Sequence, residues 1–339
     1  MEQIKRDLMR LCRSPGAAGQ TEITALVTEL LRPLTDSVVT DAMGNVLARR
    51  QGTDPAAGTV LLQAHMDEVG FLVTDIDENG FVHVAQAGSP DQRVLAAQDV
   101  VVYGKEPYAG VFGSVPPHLM PKEAELPELS DRVIDVGMTA DEAKACIHPG
   151  DRVGFAPQFS MLQDTVASGK ALDDRAGVAA ILHCLRLLKS TAATVAVAFC
   201  VQEELGARGS GVAARQLTPD VALVTDVSFA LTPDANRRQC GRLGEGVMIG
   251  ISPLLDRSVS DTLIRLAQKN NIAHQLEVMG GSTGTDADSI SRELTGIPTG
   301  LLSIPLRYMH TPVETVDLRD IAQVGALMAA YITEKGGRL

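Results

Sequence analysis

Five segments place acids or imidazoles where they could do chemistry. Gln63-Ala64-His65-Met66-Asp67-Glu68 closes the apolar run Thr59 to Gln63. A histidine and an aspartate two residues apart point to one side of an extended chain. Neutral imidazole ligates zinc, and a nearby carboxylate can orient the ring. A strand end facing solvent is the plainer alternative. In Gly169-Lys170-Ala171-Leu172-Asp173-Asp174-Arg175-Ala176-Gly177 two aspartates precede an apolar helix. One of them is accounted for as a helix cap; the other could bridge two metal ions. Gln202-Glu203-Glu204-Leu205-Gly206 follows the hydrophobic run Val195 to Val201. Adjacent like charges there need a compensating cation. A metal on one glutamate, with the other as general base, would assign a role to each. Two solvated loop acids are the alternative. Thr225-Asp226-Val227 ends another strand, where a turn aspartate is the common case. Tyr308-Met309-His310-Thr311-Pro312-Val313-Glu314 offers His310, with Met309 and Val313 as packing residues.

Together the clusters supply His65, Asp173, Glu204, Asp226 and His310: two nitrogens and three carboxylates, with Glu203 to spare. One bridging carboxylate plus one histidine and one acid per metal makes a balanced site for two divalent ions about 3.5–4 Å apart.

The elements that would carry these residues fall into three textures. Residues 1–67 read as helix, helix, then short strands: Ile4, Leu8 and Leu11 recur at helical spacing, and Thr21 is the candidate cap of a second helix ending before Pro33. Ser37 to Thr40 and Val46 to Arg49 flank a Met43-Gly44-Asn45 turn. From about Phe71 to Phe155, short strands alternate with Gly, Pro and Asp, and only Ala140 to Cys146 suggests a helix. Met120 to Ala145 reads as an acidic exposed loop. After Gly169 helices and strands alternate: helix Gly177 to Leu188, strands Val195 to Val201 and Val221 to Thr225, helix Ser258 to Lys269, strand Ile297 to Ile304 and helix Leu318 to Ile332. The expected fold is α/β: a mixed, mostly parallel sheet with helices on both faces, built from 1–67 and 165–339, and interrupted by a small all-β insert at 68–164. Open α/β sheets place their sites at the ends of strands, where most of the clusters fall.

Composition narrows the classes. The 339 residues carry 42 acids against 30 Lys and Arg, a formal charge of -12, which repels phosphate backbones and argues against nucleic acid. The absence of Trp removes the usual sugar-stacking platform. Five scattered cysteines, with no C-x-x-C, indicate neither disulfide framework nor zinc ribbon. Apolar stretches fall short of the ~18 residues that span a bilayer. The charged N-terminal segment lacks a signal-peptide core, and a soluble, cytoplasmic protein is expected.

The chain resembles the tetrahedral aminopeptidases, cytosolic co-catalytic metallopeptidases of which some members are described as glutamyl or leucyl aminopeptidases and some as endoglucanases. The resemblance is carried, in family order, by AHMDEVGF (Ala64 to Phe71), GKALDDRAG (Gly169 to Gly177), VQEELGARG (Val201 to Gly209), TDV (Thr225 to Val227) and RYMHTPVE (Arg307 to Glu314), with support from Gly284-Thr285-Asp286-Ala287. It implies that His65, Asp173 and Asp226 ligate one metal and Asp173, Glu204 and His310 the other. Glu203 would be the general base and Asp67 the carboxylate that orients His65. It further implies a cis peptide at Asp173-Asp174, zinc (or cobalt or manganese) as the ions, and short peptides as substrates. The insert would be a dimerisation domain, with dimers forming a tetrahedral dodecamer. The pattern departs at Ser228 to Arg242 and at Ser282 to Thr285, two segments expected to border the substrate pocket. Arg237, Arg238 and Arg242 would favour an acidic substrate or, more simply, form a solvated basic loop. Two other classes compete. A carboxylate-pair glycoside hydrolase would need a better-separated acid pair than Glu203-Glu204. A non-catalytic assembly protein would have no use for an intact Glu203.

Overall fold

The computed structural model describes residues 1–17, 22–119, 129 and 132–335. Thr21 and residues 120–128 of the acidic stretch lie outside the described residues.

Among the described residues, seventeen strands divide between two sheets. The large sheet holds β1 (Ser37–Thr40), β2 (Val46–Arg50), β3 (Thr59–His65), β10 (Phe159–Met161), β11 (Val166–Gly169), β12 (Thr194–Cys200), β13 (Val221–Phe229), β14 (Val247–Ile251), β15 (His274–Val278), β16 (Thr299–Arg307) and β17 (Glu314–Asp317). Its order is β1-β2-β12-β3-β13-β16-β17-β11-β10, with β14 on β16 and β15 on β14. The sheet is mixed rather than mostly parallel. Parallel pairing runs through the centre, β12 to β3 to β13 to β16, and again in β14 with β15. The flanks pair antiparallel, partly through short returns that need no crossover helix (β1 to β2, β10 to β11, β16 to β17) and partly through long connections (β2 with β12, β11 with β17, β14 with β16).

Helices cover both faces. On one side lie α1 (Glu2–Arg13), α2 (Glu22–Leu31), α4 (Leu172–Leu187), α6 (Arg257–Lys269) and α8 (Leu318–Lys335); on the other, α5 (Arg208–Leu217) and α7 (Asp286–Ile290). The sequence of β12 shows how the faces are sorted. Val195, Val197 and Phe199 join the core on the face covered by α1, α2, α4, α6 and α8, while Ala196, Ala198 and Cys200 face α5. Period-two alternation of large and small apolar residues makes a strand buried on both sides. Local signals set the helix starts: Asp256 caps α6 through the Val259 N–H, and Thr139 with Glu142 forms a capping box on α3 (Ala140–Cys146).

The second sheet is a closed six-stranded barrel: β4 (Gly70–Ile76), β5 (Val82–Ala87), β6 (Asp99–Tyr103), β7 (Pro107–Phe112), β8 (Ile134–Asp135) and β9 (Arg152–Phe155). It has its own core, in which the Phe71 ring meets Phe112 at 5.1 Å and Phe155 at 5.9 Å, both edge-on. The chain enters the barrel immediately after Asp67-Glu68 and leaves before β10, so the barrel hangs from the sheet beside one of the acidic clusters.

Candidate metal centre

The central parallel strands all end on one side, and the candidate residues gather there. His65 is the last residue of β3, and Asp67 follows it. Glu203 and Glu204 lie in the turn after β12, where Gln202 (φ 62°), Gly206 (φ 100°) and Ala207 (φ 53°) reverse the chain before α5. Asp226 sits inside β13, which runs on to Phe229 rather than stopping at the aspartate. His310 comes from the loop between β16 and β17.

The aspartate pair divides its labour. Asp174 Oδ1 accepts the Gly177 N–H at 3.0 Å and so caps the regular part of α4. Asp173, with non-helical backbone angles, turns toward the other acids. The peptide between them is cis, as the resemblance implies.

Four side chains gather around Asp173, two of them facing it directly. Its Oδ1 lies 3.0 Å from His65 Nε2, and its Oδ2 lies 3.5 Å from His310 Nε2. His65 Nε2 is also 3.8 Å from Asp226 Oδ1, and His310 Nε2 is 3.3 Å from Glu204 Oε1. Donor atoms of His65, Asp173 and Glu204 fall within 4.8 Å of one another. Asp67 does something the sequence did not suggest. Its Oδ1 is 3.5 Å from His65 Nδ1, too long for a good hydrogen bond. Its two oxygens instead accept the backbone N–H groups of Glu203 (3.2 Å) and Glu204 (3.4 Å).

Glu314 is the counterpart that sequence reasoning missed. Buried at the start of β17, it accepts the Asp173 N–H on Oε2 at 3.1 Å and the His310 N–H on Oε1 at 2.7 Å. Each buried carboxylate thus staples two segments of the cluster. Beneath them, Glu68 binds Lys170 Nζ at 2.7 Å and Arg175 Nη2 at 3.3 Å, joining the segment after His65 to the segment around Asp173. Asp286, at the start of α7, is buried behind the cluster, hydrogen-bonded to Gln63; burial pushes its pKa up to about 6.

The electrostatics show what the cluster lacks. Burial raises the pKa of Glu203 to about 8, tempered by His65 and reinforced by Asp286 and Glu204. Burial likewise raises Glu204, Asp226 and Asp174, helped in each case by neighbouring acids. Burial would lower both histidines. The Asp173 contact outweighs it, together with Asp67 at His65 and Glu204 at His310, so that His65 rises and His310 reaches about 11. Asp173 itself moves down, against its burial, because both imidazoles face it. So many buried acids around two imidazoles make a set that divalent cations would complete by displacing protons. Imidazole nitrogens with carboxylate oxygens are the donor set that zinc and its neighbours accept.

A cavity of about 510 Å³ opens onto this cluster. Glu203, Glu204, Asp226 and His310 form its polar wall, while Phe229 and Met309 lie on its apolar side. Ser228 and the segment Thr283 to Thr285 line it, as the departures from the family pattern suggested. Arg237, Arg238 and Arg242 do not; all three are exposed, as in the solvated-loop reading.

Fold and cluster define a class: a mixed α/β enzyme whose carboxylate and imidazole centre suits divalent cations. Comparison with known proteins gives the family. The sequence profile of the M42 glutamyl aminopeptidases matches residues 44–327. A lysyl aminopeptidase of Pyrococcus furiosus is 32% identical over 338 residues, 96% of this chain and 96% of that one. Among solved structures, the aminopeptidase APDkam598 of the archaeon Desulfurococcus kamchatkensis has a TM-score of 0.92 at 34% identity, covering 98% of this chain and 95% of its own. The TET1 peptidase of Pyrococcus horikoshii has a TM-score of 0.85 at 31% identity, covering 98% and 99%. The chain belongs to the M42 glutamyl aminopeptidase family.

Proposed function

We propose that the chain is a metal-dependent aminopeptidase that binds two divalent cations, zinc before cobalt or manganese, and removes N-terminal residues from short peptides in the cytoplasm. His65, Asp226 and Asp173 would hold one ion; Asp173, Glu204 and His310 the other. The observation that carries this reading is the splayed Asp173 carboxylate, whose two oxygens face different imidazoles. A carboxylate so placed suits a bridge between two zinc-peptidase-like positions. Bound cations supply Lewis acidity, which lowers the pKa of water and polarises a carbonyl.

The chain's own residues supply the rest. Glu203 lines the cavity with no role as a ligand, beside the residues that would hold the ions, where a carboxylate suits a group that takes a proton and returns it. It would take the proton of the attacking water and deliver it to the leaving amine. Asp67 fixes the backbone of Glu203 and Glu204 together, so the base keeps its distance from the ligand beside it. The acidic wall favours a cationic α-amine over a blocked terminus. The family's lysyl and glutamyl members differ in the residue they remove, and the preference here would be set by the apolar and hydroxyl-bearing side of the cavity.

The proposed division of labour is 1–67 and 165–339 as the catalytic unit and 68–164 as a dimerisation unit; the barrel strands span Gly70 to Phe155, and β10 (Phe159–Met161), inside the second range, pairs in the large sheet. The TET1 peptidase is described as assembling into a tetrahedron or a large octahedral shell; a homo-oligomer, with dimers building a dodecamer, is the corresponding proposal for this chain.

A panel of aminoacyl chromogenic substrates, assayed after chelation and after refilling with Zn, Co or Mn, tests the reading. Activity is expected to vanish with the chelator, return with metal, and spare N-acetylated peptides. Hydrolysis of N-acetylated but not free peptides would overturn it, as would chelator-insensitive cleavage of β-glucan.

A further inference from the structure

The loop carrying His310 is braced from within by Thr311, whose Oγ1 donates to the Tyr308 carbonyl at 2.6 Å, but His310 itself is held from outside the loop. His310 has φ 63° and Tyr308 φ 61°, the left-handed region that side chains rarely occupy without outside support. Glu314 holds the His310 N–H. The other two anchors come from the barrel, more than 200 residues away in sequence. The Ser89 carbonyl lies 2.9 Å from His310 Nδ1, and the Asp91 N–H donates to the His310 carbonyl at 3.0 Å. A proton on Nδ1, given to Ser89, leaves the Nε2 lone pair facing Asp173 and Glu204. Pro90, which is buried, restricts Ser89 to extended backbone and so fixes where its carbonyl points.

The same segment backs the other residue of that half. Gly88, at φ 79°, approaches so closely that an added Cβ would lie 3.3 Å from Glu204 Cβ and 3.1 Å from Val69 Cγ1. His65 and Asp226, by contrast, make their described contacts with Asp67, Asp173, each other and the Val227 N–H, all outside the barrel strands.

We propose that Gly88 to Asp91 of the barrel is a positioning element for one cation position only: it sets the ring of His310 and the place of Glu204, and leaves the His65 and Asp226 position untouched. The inference rests on the reading of His310 and Glu204 as ligands. Ligation would make the barrel part of the metal centre as well as of any assembly.

Zinc binding to the metal-stripped protein, counted per chain by equilibrium dialysis, tests it in Gly88→Ala, Pro90→Gly and His310→Ala beside the parent chain. Gly88→Ala adds bulk against Glu204, whereas Pro90→Gly adds none and only frees Ser89, so Pro90→Gly carries the test if Gly88→Ala does not fold. Two ions are expected for the parent chain and one for His310→Ala. Both barrel variants should keep one ion at parent affinity and weaken the other about 10–100-fold, the usual cost of losing a partner behind a ligand. Parent-like binding of both ions by the barrel variants, with one ion lost in His310→Ala, would overturn the positioning role while leaving the ligand set intact. Equal weakening of both ions would overturn its selectivity. Two ions in His310→Ala would overturn the ligand reading beneath it.

Discussion

The two histidines face the same aspartate from different kinds of structure. His65 ends a central strand, is 1% exposed, and stands beside Asp226 from the adjacent strand. His310 is 25% exposed, sits in a loop, and is held by Glu314 and by the barrel. One half of the cluster is thus framed by sheet register, the other by long-range hydrogen bonds onto a left-handed backbone. A sheet gives a ligand rigidity without further help, whereas a loop needs a staple for each degree of freedom. Asp173 joins the halves, and its own backbone is fixed by Glu314, so the loop half and the bridge share a support.

The largest effect is expected where the halves meet. Asp173→Asn should cost both ions and lower kcat/KM by more than about 100-fold, the upper end for loss of a neighbouring partner alone. Metal analysis of the dialysed variant checks this, and a full complement of two ions would break the symmetry of the picture.

His65→Ala and His310→Ala should next separate the halves. Each loses one ion, but only His65→Ala opens a hole in a packed layer. Metal-free His310→Ala loses the contacts with Asp173 and Glu204 that raise its imidazole, but metal-free His65→Ala loses such contacts and a packed side chain as well, so it should unfold at the lower temperature of the two. Calorimetry in chelator reads the difference; equal destabilisation would show that the loop is as much a part of the core as the strand.

The smallest effect lies away from the cluster, at Asp320 in α8, whose carboxylate accepts the Gly244 and Gly246 N–H groups. Burial raises its pKa from 3.8 to about 6, against those bonds. The native state therefore keeps a proton that the unfolded chain has lost between these values, and this contribution to stability falls as pH rises from about 4 to 6. Asp320→Asn should lack that slope, so the parent chain should lose ground to the variant across this window. A difference that grows in the opposite sense would contradict the assignment.

Much of the sheet half was legible in sequence. An apolar run that stops abruptly at an acid or histidine marks a buried strand delivering a polar group, and β3 and β12 do this. Two adjacent aspartates left open which one caps the helix; only backbone geometry could give that task to Asp174. The loop half was legible through resemblance alone, since nothing local in RYMHTPVE marks His310 as anything but a surface histidine. Glu314 lay inside the same motif, but its role depends on a contact with Asp173, 141 residues away. The same limit hid α5: its Gly-Ser-Gly start reads as loop, yet Gly209 is there because a Cβ would run into the Val201 carbonyl. Parallel order was overextended to the flanks, because alternating helices and strands do not distinguish a parallel crossover from an antiparallel return, whether short as at β16 to β17 or long as at β11 with β17.

Between the halves stands Glu203, the one cavity acid assigned to proton transfer rather than to a cation. Steady-state hydrolysis of an aminoacyl substrate by Glu203→Gln, with zinc counted in the same sample, tests that assignment most directly. The expected result is kcat lower by about 10²–10⁴-fold with two ions still bound; parent-like kcat at full zinc occupancy would contradict it.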